Sequence, residues 1–223
     1  MIAGLLLAAG ASTRMGRPKA TVRAGRDSFL VNGVRHLWAA CDTVVVVLGA
    51  GAEAIKRQTE EDFAALVSSG RLHDDLAHAR RHGKRGLEVH FAFNPRWRQG
   101  MFSSVRVGLD AALKLKPGGV LVLPVDHPGV RPFTVASLAD VMHEALAACR
   151  GARERARFSY ALVPRFHGRR GHPVALSSAL ARAVAGERAA ENLSDAIRRH
   201  ARLVGYLDVA DRGVVVNRNT ARP

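Results

Sequence analysis

A cluster of polar and cationic side chains lies just after the first apolar run of this 223-residue chain. Ser12, Thr13, Arg14, Gly16, Arg17 and Lys19 bring hydroxyls, flexible joints and three cations into one short stretch. That combination suits a polyphosphate, which is held by unpaired backbone N–H groups and fixed positive charge. The preceding run, Ile2 to Ala8, is nearly all apolar, as expected of a strand buried on both faces of a parallel sheet. Ala9 and Gly10 end it with small side chains that let the backbone turn sharply and approach a ligand. Ligands of open α/β sheets sit at this edge, beyond the C-terminal ends of the strands. The common phosphate loop G-x-x-x-x-G-K-[ST] is absent, since five residues separate Gly10 from Gly16 and Arg17-Pro18 precede Lys19. By composition alone the stretch is equally a basic surface turn.

Two further stretches carry chemistry. Asn94 to Leu109 reads NPRWRQGMFSSVRVGL: a turn at Asn94-Pro95, a backbone-permissive Gly100, and Ser103-Ser104 opening a helix. Hydroxyls and N–H groups at a helix N-terminus read a base edge or a ribose, or hold an anion. The alternative is an ordinary capped helix with Trp97 and Met101 in the core. The second stretch is Asp126, after the very apolar Gly119 to Pro124. A carboxylate at the tip of a central strand is costly unless it meets a cation or a donor. Beside a triphosphate, a hard oxygen ligand of this kind suits Mg²⁺, with water and phosphate completing the shell. The alternatives are a cap for the helix after Pro132 or a turn before Pro128.

Two patterns invite a different chemistry. Gly49 to Ala54 fits G-x-G-x-x-A between a strand and a helix. A dinucleotide-binding unit also wants an acidic residue closing the next strand, and Leu87 to Phe93 ends at Asn94 instead. The glycines therefore read better as a tight turn, with an NAD(P)-binding oxidoreductase built on Gly49 and Gly51 kept as an alternative function. His78 and His82 stand four apart, which on a helix would put them on one face. No third ligand is evident beyond Asp74 or Asp75, so Gly70 to Gly86 reads as a solvated basic insertion.

The elements that must position these groups alternate along the chain. Helical spacing runs through Ser28 to Ala40, Ala52 to Ser68, Thr134 to Cys149, Ser177 to Gly186 and Glu191 to Ala201. Strand-like runs occupy Thr43 to Leu48, Leu87 to Phe93, Gly119 to Pro124, Phe158 to Val163 and Leu203 to Val209. The length allows one sizeable α/β domain, taken as residues 1–223 with the insertion at about 70–86. Hydrophobic content of 48% argues against disorder, and no apolar run reaches the length of a membrane span. Cys41 and Cys149 make neither a disulfide framework nor a metal-spacing pattern. With no positive leader before the first strand, the expected location is cytoplasmic. The net charge of +15 is spread through every segment and aromatics are 5%, without aromatic and basic interleaving. An anionic small molecule therefore fits better than nucleic acid, and a non-catalytic basic binding module remains as the other alternative.

LAAGASTRMGRPK after the first strand resembles the signature loop of the nucleotidyltransferases with a glycosyltransferase-A-like fold. More narrowly it resembles the branch that attaches nucleotides to molybdopterin, the molybdenum-cofactor cytidylyltransferases and their guanylyl counterparts. The resemblance runs through five stretches in family order. It implies a three-layer α/β/α fold with a mostly parallel mixed sheet. It also implies transfer of a nucleoside monophosphate to a phosphate-bearing acceptor, molybdopterin in that branch, with Mg²⁺ as cofactor and docking to a molybdoenzyme or its chaperone. Carried onto this chain, Leu7, Ala8, Ala9, Gly10 and Ser12 would bind nucleotide, with Arg14 and Lys19 on the triphosphate. Asn94, Gly100, Ser103 and Ser104 match the motif lining the base and ribose pocket, and Asp126 matches the metal-binding aspartate. The Gly-His-Pro element at Gly171 to Pro173 matches the acceptor side of the cleft, where Arg169, Arg170 and His172 would meet an acceptor phosphate or pterin. A basic hairpin tip with a capping His172 is the alternative there. The last stretch holds Asn217 and Asn219 where cytidylyl-type proteins usually carry aspartates, closer to the guanylyl form. Asn217 still offers a carbonyl oxygen to Mg²⁺ opposite Asp126. Leu7 to Gly10, in contrast, resembles the cytidylyl branch, and a loop beside the base should discriminate bases more directly than a metal ligand does. CTP is therefore the expected nucleotide, ahead of GTP.

Overall fold

The apolar runs become strands of one sheet. A computed structural model describes residues 1–10, 18–70 and 88–218. In chain order the strands are β1 (Ile2–Ala8), β2 (Arg23–Ala24), β3 (Asp27–Ser28), β4 (Thr43–Leu48) and β5 (Val89–Phe93). They continue with β6 (Gly119–Pro124), β7 (Tyr160–Phe166), β8 (Arg169–Arg170), β9 (Val174–Ser177) and β10 (Leu203–Asp208). The helices are α1 (Phe29–Ala40), α2 (Ala52–Ser68), α3 (Met101–Leu113) and α4 (Pro132–Ala147). They are followed by α5 (Ala152–Arg155), α6 (Ser178–Gly186) and α7 (Leu193–His200). The main sheet runs β10-β7-β9-β6-β1-β4-β5, with β8 paired to β7, and β2 and β3 form a small hairpin apart from it. β5, β4, β1 and β6 are mutually parallel, while β9 runs antiparallel to both β6 and β7. The sheet is therefore mixed and mostly parallel, as expected.

Burial on both faces follows from the side-chain period of two. Along β1, Ile2, Leu6 and Ala8 pack on the side of α1, α2 and α4, whereas Ala3, Leu5 and Leu7 pack on the side of α3, α6 and α7. The result is helix, sheet, helix in three layers. Each layer is locally specified. Ser28 caps α1 by accepting from Val31 N–H, Ser177 caps α6 by accepting from Leu180 N–H, and Asn192 caps α7 by accepting from Asp195 N–H.

Several boundaries differ from expectation. α3 begins at Met101, two residues before the serines, because Gly100 (φ +98°) makes the break. α4 begins at Pro132 and ends at Ala147. The connector after it contains the short helix α5. The expected insertion at 70–86, with His78 and His82, lies outside the described residues apart from Gly70. Among the described residues, no helix is long and apolar enough to cross a membrane.

Candidate functional site

The pairing of β1 with its two neighbours brings the separated stretches to one edge. Leu7 is in register with Pro124 on β6, and Val125 N–H donates to Leu7 O at 3.0 Å, so the strands end side by side. Asp126 thus stands next to the opening loop. Lys19, at the start of the 3₁₀ turn Lys19–Thr21, reaches across to it: Nζ lies 3.1 Å from Asp126 Oδ2. The pair is largely buried, with side-chain exposures of 19% and 14%. Both residues line a cavity of about 320 Å³ together with Leu7 to Gly10, Trp97, Arg98, Gly100 and Ser104.

The turn after β4 packs against the opening loop from outside the cavity. Ala50 N–H reaches Ala9 O at 3.4 Å, and a Cβ on Gly49 would lie 2.5 Å from Ala9 O and 2.7 Å from Trp97 Cβ. Gly49 is thus the point where the opening loop and the Trp97 segment close over the β4 turn. Gly51 (φ +66°) begins α2. Neither glycine lines the cavity, which accounts for the G-x-G pattern by packing.

In the second stretch, Asn94 is fully buried and its amide nitrogen donates to both Ser103 Oγ and Ser104 Oγ at 2.9 Å. Its own Oδ1 accepts from Arg96 N–H, and Ser103 Oγ lies 2.8 Å from Gly100 O. Asn94 and Ser103 are therefore spent on holding the loop, while Ser104, Gly100 and the backbone around them face the cavity. Sequence reasoning gave no role to Arg98, whose guanidinium lies 4.6 Å from the centre of the Trp97 ring, and the alternative that put Met101 in the core fails, since it is 59% exposed at the cavity mouth. An arginine and an aromatic adjacent to the motif's glycine were the available signal.

A second cavity of about 480 Å³ adjoins the first, sharing Leu7 and Met101. Its walls are mainly apolar, with Phe102, Val163, Val204 and Val214 among them, and His127, Arg170, His172 and Tyr206 as polar members. Gly168 (φ +74°) turns β7 into β8, Gly171 N–H donates to Pro164 O and His172 N–H to Val214 O, which fixes the Arg170 to His172 segment on the wall. Arg170 lies 5.3 Å from the Tyr206 ring centre. His127 and His172 meet edge to face at 5.0 Å. Burial, reinforced by the His127 charge, drives the His172 pKa down to about 4, so the ring is neutral. His172 lines the cavity, while its Nδ1 is shut from solvent and has no hydrogen-bond partner among the described residues. Burial lowers His127 as well, against the pull of Asp126.

The C-terminal stretch lines the second cavity with Val214 and Val215 and then reaches Asp126. Arg218 N–H donates to Asp126 O at 2.7 Å, which brings the exposed Asn217 beside the aspartate. Asn219 lies outside the described residues, as do Ser12 and Arg14. The Asp126 carboxylate already holds a cation, the Lys19 ammonium. Among the described residues no group of three or more His, Cys, Asp or Glu could hold a metal ion, so a hard divalent ion at Asp126 would take most of its oxygen ligands from nucleotide and water.

The model of the MobA-like NTP transferase domain matches residues 4–203. The chain is 34% identical over 187 residues to the nicotine blue oxidoreductase of Paenarthrobacter nicotinovorans, covering 82% of this chain and 74% of that protein. Its fold is similar to that of Mycobacterium tuberculosis Rv0371c, solved as a manganese complex: TM-score 0.58, 21% identity, 93% of this chain and 88% of that one. It is also similar to the molybdopterin-guanine dinucleotide biosynthesis protein A of Archaeoglobus fulgidus: TM-score 0.57, 16% identity, 98% and 93%.

Proposed function

This chain belongs to the MobA-like NTP transferase family, and from that premise we propose that it moves a nucleoside monophosphate from CTP, in preference to GTP, onto a phosphate-bearing acceptor of the molybdopterin class. An oxygen of the acceptor phosphate attacks the α-phosphorus, the α–β bridging bond breaks, and pyrophosphate leaves with the electron pair. Such a transfer needs no protein nucleophile. It needs in-line geometry and cancellation of charge on the α-phosphoryl and the leaving group. Backbone N–H groups of Ala9 to Ser12, with Arg14 and Lys19, bind the triphosphate. Gly100 and Ser104 border base and ribose, and Asn94 and Ser103 keep that border in shape. Asp126 with Asn217 and Asn219 would hold Mg²⁺, which when bound neutralises charge on the α-phosphate. Arg170 and His172 face the acceptor in the adjoining cavity.

The observation that carries this reading is the Lys19–Asp126 contact at 3.1 Å on a cavity shared with the opening loop. The cation proposed for phosphate and the carboxylate proposed for metal line one cavity of about 320 Å³ there. The nucleotide choice rests on Leu7 to Gly10, and the asparagines at 217 and 219 argue the other way.

One observation favours a second reading. The 34% identity to a nicotine blue oxidoreductase supports an oxidoreductase, with the larger, apolar cavity as the place for its substrate. The Gly49–Gly51 turn is a poor seat for its cofactor, because Gly49 is packed against Ala9 and Trp97. A thermal-shift panel separates the two. With Mg²⁺ present, CTP or GTP should raise the melting temperature, since a ligand that binds only the folded state stabilises it. A rise with NADPH or NADH and none with any nucleoside triphosphate would overturn the transferase reading.

A further inference from the structure

We propose that Tyr206 is the positioning residue of the larger cavity. Its ring holds the Arg170 guanidinium at the cavity wall, ready for the phosphate of an acceptor whose apolar body fills the space. This deepens the transferase reading and rests on its placement of the acceptor there.

Three strands deliver the parts. Arg165 on β7 is in register with Arg170 on β8 and with Asp208 on β10, and Tyr206 lies two residues before Asp208, on the same face. Tyr206 and Arg170 line the cavity, while Arg165 and Asp208 do not. Two arginines directly opposite on neighbouring strands repel. Only one of them is answered by an acid. Arg165 Nε and Nη2 donate to Asp208 Oδ1 at 3.0 Å and Oδ2 at 2.8 Å, a bidentate pair that commits the carboxylate. Among the described residues no carboxylate pairs with Arg170, and none lines the cavity. What Arg170 has instead is the Tyr206 ring, 5.3 Å from its guanidinium, with Arg165 4.8 Å from the same ring. Core packing does not account for that ring. Tyr206 is 39% exposed and belongs to neither hydrophobic cluster. Hydrogen bonds from Gly171 and His172 hold the backbone beside Arg170, but the arginine stem keeps its own torsions, and the π face restricts where the charge sits. A guanidinium held there without an acid of its own offers its N–H fork to a phosphate. The apolar walls beside it suit the body that carries that phosphate.

The test uses naphthyl phosphate, which joins an apolar ring system to a phosphate and reports its own binding by fluorescence anisotropy. Naphthol, which lacks the phosphate, reports the apolar wall alone. Arg170→Met should weaken the phosphate probe at least about tenfold and Tyr206→Leu about fivefold, with naphthol within about twofold of the wild type in both. Tyr206→Phe keeps the π face and should hold the phosphate probe to within about twofold of the wild type. The double variant Arg170→Met/Tyr206→Leu should bind it no more weakly than Arg170→Met alone, because a positioning residue then has nothing to position. Circular-dichroism melts establish that each variant is folded, and Tyr206→Val, a better strand former, replaces Tyr206→Leu if the latter is not. Additive losses in the double variant overturn the proposal, as does a Tyr206→Phe as weak as Tyr206→Leu. So does an equal loss of naphthol in Tyr206→Leu, which would make the ring a plain wall, or a phosphate probe indifferent to Arg170→Met. Wild-type melting shifts with CTP and GTP, measured alongside, keep the two claims apart. If the shifts are present and Tyr206→Leu binds the phosphate probe like the wild type, only the positioning role falls. If no nucleotide shifts the wild type, the transferase reading falls and takes the role in acceptor binding with it.

Discussion

Lys19 and Asp126 are far apart in sequence and 3.1 Å apart in space, and each has a role that follows from that contact. In the proposed reaction Lys19 donates to developing phosphate charge, and alanine removes that donor. Turnover should fall at least about 100-fold with the melting temperature nearly unchanged, as steady-state pyrophosphate release would show. A loss of only a few-fold would mean that the loop does not hold the triphosphate. His172 makes a different prediction, about stability. Its pKa is near 6.5 in the unfolded chain and about 4 in the folded one, with burial as the main cause. Between those values the unfolded state binds more protons, so stability falls as pH drops from 6.5 towards 4. The loss should approach about 3 kcal/mol, with His127 adding in the same direction. Denaturation midpoints at about pH 7 and pH 5 should differ clearly in the wild type and much less in His172→Asn.

Among the elements, α4 shows how the cleft is braced. The helix has no side-chain cap of its own, since Arg131 occupies the N-cap position. Asp211 supplies the cap from the other end of the chain: its Oδ2 accepts from Arg131 N–H at 2.8 Å and from Thr134 Oγ1 at 2.7 Å. Its Oδ1 accepts from Gly213 N–H, so the same carboxylate holds the 3₁₀ turn Arg212–Val215, whose Val214 lies on the larger cavity. Asp211→Ala leaves these donors unpaired at a position only 4% exposed, and should cost about 2 to 3 kcal/mol. Urea denaturation would measure it, and a change below about 0.5 kcal/mol would mean that the brace is dispensable. Asn94 braces the opposite rim in the same manner, through two serine hydroxyls.

At the scale of the whole molecule the net charge of +15 has a kinetic consequence. A strongly positive protein with a cationic cleft draws a polyanion in by long-range attraction, which salt screens. Association of the proposed nucleoside triphosphate substrate should therefore slow by roughly tenfold between about 0.05 M and 0.5 M ionic strength, with dissociation changing less. Stopped-flow fluorescence can follow it, because Trp97 lines the cavity while Trp38 is fully buried. An association rate indifferent to salt would assign the charge to something other than this ligand.

Much of this protein was legible along the chain because the signals are local. The apolar run Thr43 to Leu48 and the periodicity of Ala52 to Ser68 give the bounds of β4 and α2, and Ser28 caps α1 as its side chain suggests. The opening loop and Asp126 were candidates from residue type and from their places at strand ends. What lay beyond reach depends on which distant segments touch. The serines at 103 and 104 read as ligand groups, yet the buried Asn94 engages both, and that is visible only once the turn has closed. Gly49 and Gly51 fit a dinucleotide pattern until Ala9 and Trp97 fill the space a Cβ on Gly49 would need. The cap of α4, the neutral His127–His172 pair and the larger cavity each join residues from separate parts of the chain. Hydrophobic periodicity determines elements one at a time, whereas strand order decides which loop ends share an edge. The chemistry of this cleft belongs to the second level.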